Sequence, residues 1–176
     1  ISLFTVGEDI YASATPSEEV SSLRTSTAEI ETFLVDNAAS KDVAVGGYDA
    51  YEVSFMPKPH FEGKTKVTLC NACGEKFSLE FDTENMTVLA DRSESGKMTR
   101  IKSFVLMPAA PLGLCNSSDG YDVDVFVDKC SVEVFVDGGR IAMTNLVFPS
   151  ESFDNIVFES TGESEISNMF IHKIGK

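Results

Sequence analysis

The run Tyr121-Asp122-Val123-Asp124-Val125-Phe126-Val127-Asp128-Lys129-Cys130-Ser131-Val132-Glu133-Val134-Phe135-Val136-Asp137-Gly138-Gly139-Arg140 governs the class of structure open to this chain. Valine stands at every second position through two stretches, with acids, a serine and two phenylalanines between. A period of two puts successive side chains on opposite faces of a strand. The stretches are therefore two strands, and Lys129-Cys130 lies at the bend between them. An even-numbered loop keeps Val123, Val125, Val127, Val132, Val134 and Val136 on one face. Asp137-Gly138-Gly139-Arg140 is a second tight turn, since its central positions tolerate positive φ. Asp-Gly and Gly-Gly as the central pair give the same facing, so the pattern leaves that choice open. The following strand adds Ile141 and Met143 to the valine face, which is expected to be core.

Working outward, the same period recurs. Tyr51 to Phe55 alternates, as does Lys64 to Leu69, and Phe77, Leu79 and Phe81 are separated by Ser78 and Glu80. Turn residues punctuate the chain at Gly46-Gly47, Pro57 to Pro59, Cys73-Gly74, Ser95-Gly96 and Asp119-Gly120. Roughly a dozen short strands with regular turns predict an all-β fold, a two-sheet antiparallel sandwich of jelly-roll type with little helix. The one helical signal is Thr15-Pro16-Ser17-Glu18, a capping box with Pro at the first helical position, running into Val20 and Leu23. Residues 1–24 are expected to be a connecting lead-in of two extended pieces and a short helical turn. Residues 25–176 are expected to be the sandwich.

Composition narrows the function classes. The 176 residues carry 28 acids against 14 Lys and Arg, a net charge of −14 with no basic stripe, which makes nucleic acid and anionic membranes poor partners. A hydrophobic content of 43% is that of a folded globule rather than a disordered chain. The longest apolar stretch, Val105 to Leu114, is broken by Pro108, Pro111 and Gly113 and falls short of the roughly 20 residues of a membrane helix. The chain opens on Ile1 with no leader pattern, so the expectation is a processed protein or a piece of a larger one.

Candidate chemistry is sparse. Cys70-Asn71-Ala72-Cys73-Gly74 has the form of half a zinc ribbon, but Cys115 and Cys130 supply no second knuckle, so the four cysteines read as ordinary thiols. Glu80-Phe81-Asp82-Thr83-Glu84 has the E-x-D-x-E spacing of jelly-roll glucanases, which makes a glycosidase using Glu80 and Glu84 an alternative. A retaining glycosidase needs its carboxyls about 5–5.5 Å apart, and Thr83-Glu84-Asn85 reads as a turn. Asp122, Asp124, Glu133 and Asp137 alternate with valine as on a solvated sheet face and lack the spacing of a calcium loop. His60 and His172 stand outside any recognisable nucleophile or metal motif and read as surface residues. An independent carbohydrate-binding module is a further alternative. It lacks Trp, however, and offers only Tyr11, Tyr48, Tyr51 and Tyr121 as platforms.

Two stretches carry a resemblance. Asp91-Arg92-Ser93-Glu94-Ser95-Gly96 follows an apolar strand, and Val125 to Gly138 runs on to Thr144, Phe148 and Pro149, with Ala110-Pro111-Leu112 between them. In content and order these resemble the C-terminal β-sandwich domain of glycoside hydrolase family 32, the invertases, levanases and inulinases. Lys129-Cys130 departs from the Arg-Ser usual in the family, a mild change at a bend. The resemblance implies a non-catalytic accessory module whose partner is an N-terminal five-bladed catalytic propeller of the same polypeptide. The parent would hydrolyse β-fructofuranosyl bonds in sucrose, levan or inulin and would be periplasmic or extracellular. The nucleophilic Asp, the Arg-Asp-Pro segment and the acid/base Glu of the family belong to that propeller and do not occur here. No catalytic residue, cofactor or metal is expected in this chain, and fructan is a second candidate partner. The face opposite the valines carries Asp122, Asp124, Ser131 and Glu133 but also Phe126 and Phe135. By register these two rings are directly opposite or diagonal neighbours and form one patch. Its expected cover is the neighbouring domain or another loop of this same domain, the lead-in being one such segment.

Overall fold

A computed structural model describes residues 1–97, 109–116 and 118–175. The Val105 to Pro108 part of the apolar stretch lies outside the described residues. Among the described residues strands predominate and helix is limited to short 3-10 turns, which meets the expectation of an all-β fold. In chain order the strands are β1 (Ser2–Val6), β2 (Asp9–Ser13), β3 (Arg24–Ile30), β4 (Phe33–Val35), β5 (Lys41–Ala44), β6 (Tyr51–Pro59), β7 (Lys64–Cys70) and β8 (Lys76–Asp82). They continue as β9 (Thr87–Glu94), β10 (Ala110–Pro111), β11 (Val123–Asp128), β12 (Ser131–Val136), β13 (Ile141–Leu146), β14 (Asn155–Ser160) and β15 (Ser164–Ile174).

Two antiparallel sheets form the sandwich. One has the order β10-β9-β8-β7-β14-β5 and the other β13-β12-β11-β6-β15-β3, with β4 pairing the first half of β15 beside β3. The β1–β2 hairpin is a separate two-stranded sheet. The valine hairpin pairs Val123 with Val136, Val125 with Val134 and Val127 with Val132, and all six are buried. Ile141 and Met143 pair with Val136 and Val134, so the valine face is core as expected. Opposing it are Val67, Leu69, Phe77, Leu79, Phe81, Ile156 and Phe158 of the other sheet. Phe158 meets Phe33 and Phe55 edge-on, at 5.3 and 5.5 Å between ring centroids, so aromatic edges join the two sheets.

Three local points are set by the fold. The helical turn is a 3-10 helix over Glu18–Leu23 that starts at Ser17 with no side-chain cap bond, so the Thr15/Glu18 capping box does not form. Ser17 stays extended, and its carbonyl accepts from Val20 N instead. Arg24, the last residue of the expected lead-in, opens β3, an edge strand on β15. Asp137, Gly138 and Gly139 all have positive φ (51°, 63° and 75°), and Arg140 N closes the turn onto Asp137 O across Gly138-Gly139. The Gly-Gly pair is therefore the centre of the turn.

The Asp91 to Gly96 segment staples the sheets together. Asp91 Oδ1 accepts from Ser93 N at 2.8 Å, and the buried Ser95 donates its hydroxyl to Arg92 O at 2.7 Å. Gly96 forms a parallel bridge to Phe148, just beyond β13. A Cβ there would stand 1.9 Å from Phe148 O, at a φ of +117°, so no other residue fits without moving backbone.

Candidate functional site

The outer face of the seven-stranded sheet is the part of the molecule that its own core does not explain. The strand registers set two rows across it. One row runs Thr27, His172, Glu52, Phe126, Glu133, Thr144, and the next runs Glu29, Phe170, Ser54, Asp124, Phe135, Ala142. Phe126 is opposite Glu133 and Phe135 opposite Asp124, so the two rings are diagonal neighbours. Their centroids are 5.9 Å apart in an edge-to-face arrangement, and both are half-buried.

The lead-in crosses this face. Pro16 and Val20 line the same clefts as Phe126 and Phe135, and one cleft of about 520 Å³ continues from Thr15 past Glu52 and Asp124 to Gly139. Ala14 N donates to Gly139 O at 3.0 Å, and a Cβ on Gly139 would lie 1.9 Å from Ala14 O. The glycine of the β12–β13 turn is thus the point on which the lead-in rests. Farther along, Arg24 closes on Glu52 with two bonds, Nε to Oε2 at 2.7 Å and Nη2 to Oε1 at 2.5 Å. Glu52 sits on the outer face and yet is only 1% exposed. Burying such a carboxylate is tolerated because a planar guanidinium satisfies both of its oxygens at once.

Burial first, and then the charges of Asp122 and Glu52, push the Asp124 carboxyl up to about 6, with Arg24 opposing. Burial also raises Asp122 above the ordinary carboxylate value, reinforced by Asp137. His172 is half-buried rather than on the open surface. Its ring stacks on Phe170, its Nδ1 lies 2.8 Å from Thr27 Oγ1, and burial followed by Arg24 lowers its pKa.

The remaining candidates do not assemble into a site. Glu80 is paired to Lys64 at 2.5 Å. Asp82 accepts from the backbone and side-chain nitrogens of Asn85, both at 2.9 Å, and these bonds, with Lys64 behind them, hold it below the usual carboxylate value. A general acid needs the opposite shift, and Glu84 is exposed in the turn beyond. The Cys70-Asn71-Ala72-Cys73-Gly74 segment is organised by Asn71. Its Oδ1 accepts from Cys73 N and Glu75 N, and its Nδ2 donates to Glu75 Oε2 and Glu151 O. That is an Asx turn rather than a metal knuckle, and the described residues hold no cluster of three ligating side chains. His60 lies 2.8 Å from Glu163 at the surface. Tyr51 and Tyr121 are buried, Tyr11 is stacked on Phe4 and Tyr48 lies under Lys173, so no tyrosine offers an open platform. Sequence reasoning missed Arg24 and Glu52. Their only trace is an acid within an otherwise core-forming strand.

The family model described as glycosyl hydrolases family 32 C terminal matches residues 19–173. A levanase of Bacillus subtilis (strain 168) is 25% identical over 173 residues, covering 96% of this chain and 25% of that protein. Exo-inulinase from Aspergillus awamori superposes with a TM-score of 0.76 at 25% identity, over 99% of this chain and 34% of the other. Sucrose-6-phosphate hydrolase from Lactobacillus gasseri shares the fold, with a TM-score of 0.68 at 17% identity over 98% of this chain and 32% of that one. The chain spans about a quarter of the levanase's length. With nearly the whole sandwich matched by the model, this chain belongs to the C-terminal domain family of glycosyl hydrolases family 32.

Proposed function

We propose that this chain is the non-catalytic C-terminal module of a longer fructan-degrading hydrolase, where it packs on and stabilises an N-terminal catalytic propeller of the same polypeptide. The observation that carries this reading is the family match over residues 19–173 in a chain only a quarter as long as its levanase relative. The chemistry supports it, since Glu80 and Asp82 are engaged in ion pairing and turn formation and Glu84 stands apart from them. The parent reaction is hydrolysis of β-fructofuranosyl bonds in sucrose, levan or inulin, carried out in the periplasm or outside the cell, where such polymers are met. No helix among the described residues is long and apolar enough to cross a membrane.

In this reading Phe126 and Phe135 take part in the interdomain contact, from a cleft that they line together with Pro16 and Val20 of the lead-in. The test is fructose release from sucrose, levan and inulin by the full-length polypeptide and by this chain alone. Release by the full-length protein and none by the chain is the expected result. Release by the chain alone would overturn the reading.

A further inference from the structure

The β1–β2 hairpin has two unlike faces. On one, Phe4 stacks on Tyr11 at 5.6 Å, and the Arg140 guanidinium lies 4.8 Å from the Phe4 centroid, so this face is held to the β12–β13 turn of the sandwich. The register puts Leu3 beside Ala12 and Thr5 beside Ile10, so Ile1, Leu3, Ile10 and Ala12 share the other face. There Ile1 is 99%, Leu3 75% and Ile10 69% exposed. These are three of the most exposed large apolar side chains among the described residues, gathered on a sheet of only two strands.

An isolated two-stranded sheet is at best marginal in water, and a contiguous apolar face marks a surface that something covers. Where the hairpin falls along the chain identifies the cover. The C-terminal family match begins at residue 19, after the hairpin, while the alignment with the full-length levanase takes in 96% of this chain. Most of residues 1–18 therefore align with the levanase outside the matched domain, and a domain described as C terminal has the rest of its family's polypeptide ahead of it.

We infer that the Ile1/Leu3/Ile10 face is buried against the preceding catalytic domain, so that the hairpin is a clamp. One of its faces is pinned by Arg140 and the other is inserted in the neighbour, with the passage between domains at Ala14 to Pro16 over Gly139. This rests on the proposal that a catalytic domain precedes the chain, and it names the surface that meets it.

The test uses the full-length polypeptide. Leu3→Ser with Ile10→Ser lowers its thermal midpoint by several degrees, whereas Leu34→Ser with Leu146→Ser, two apolar residues exposed elsewhere on the sandwich, leaves it unchanged. Hydrogen exchange on the unmodified full-length protein gives an independent reading, with the amides of residues 2–13 protected as strongly as those of β6. Exchange of those amides as fast as in exposed loops, or equal midpoints for the two variants, overturns the inference. Full-length protein that protects the hairpin but releases no fructose from levan, inulin or sucrose would leave the clamp standing and remove the proposed reaction.

Discussion

Replacing Arg24 with Met tests whether the connector end of the sandwich is held by one buried ion pair. The substitution keeps much of the side chain's length and removes the two bonds, of 2.7 and 2.5 Å, that satisfy Glu52. Glu52 is 1% exposed, so its carboxylate would be left buried without a partner. Breaking a buried pair in this way costs about 3–5 kcal/mol. The Arg24 side chain, however, is 35% exposed, and water reaching that flank brings the expectation down to about 2–3 kcal/mol. In a domain of this size that is a fall of about 5–10 °C in the thermal midpoint. Removing both charges, as Arg24→Met with Glu52→Leu, should recover most of the loss, because an apolar pair of similar volume carries no desolvation penalty. Urea unfolding of the wild type, both single variants and the double variant closes the cycle. A loss below about 1 kcal/mol for Arg24→Met, or a double variant no more stable than the single, would refute the account of Glu52 as a charge that depends on its partner.

Gly96→Ala should destabilise by about 3 kcal/mol or more, since its methyl meets the Phe148 carbonyl at a φ of +117°; a thermal midpoint within a degree of wild type would show that the staple yields. Asp124, raised to about 6 when folded, binds its proton more tightly in the folded state than in the unfolded state, so wild-type stability should rise as pH falls from about 6 toward 4. Asp124→Asn should flatten much of that slope, Asp122 retaining a share of the same sign, and should gain about 1–2 kcal/mol at pH 7.5, a figure reduced for the water that reaches this half-buried group; denaturation curves of both proteins at pH 5 and 7.5 check it. Phe126→Ser with Phe135→Ser should lower the thermal midpoint of the full-length polypeptide while this chain alone still unfolds cooperatively. Loss of cooperative unfolding in the chain itself would assign the two rings to its own core.

Much of this molecule is legible locally. Alternating valines at 123 to 136 report two strands and their inner face whatever surrounds them, and a two-residue bend fixes which residues oppose which, because slipping by one would turn every valine outward. The Asp91 to Gly96 and Val125 to Gly138 segments carry the family resemblance in their letters alone, although the reason for Gly96, a backbone approach from Phe148, is visible only in the fold.

What stayed hidden depends on contacts between distant segments. Arg24–Ile30 is exposed along nearly its whole length, so it shows no period of two, and only its partner β15 makes it a strand. Within β15, Asn168 takes a φ of 50° and the register shifts between Ser167 and Phe170, which turns both Met169 and Ile171 into the core and breaks the alternation from Ile166. Glu52 alternates like a solvent-facing residue, yet Arg24 and the lead-in cover it. Period and turn chemistry describe the two faces of a single element. Which face is covered, and therefore which carboxylate is charged and which phenylalanine is free, is set by segments 28 or more residues away, whose arrival no local pattern encodes.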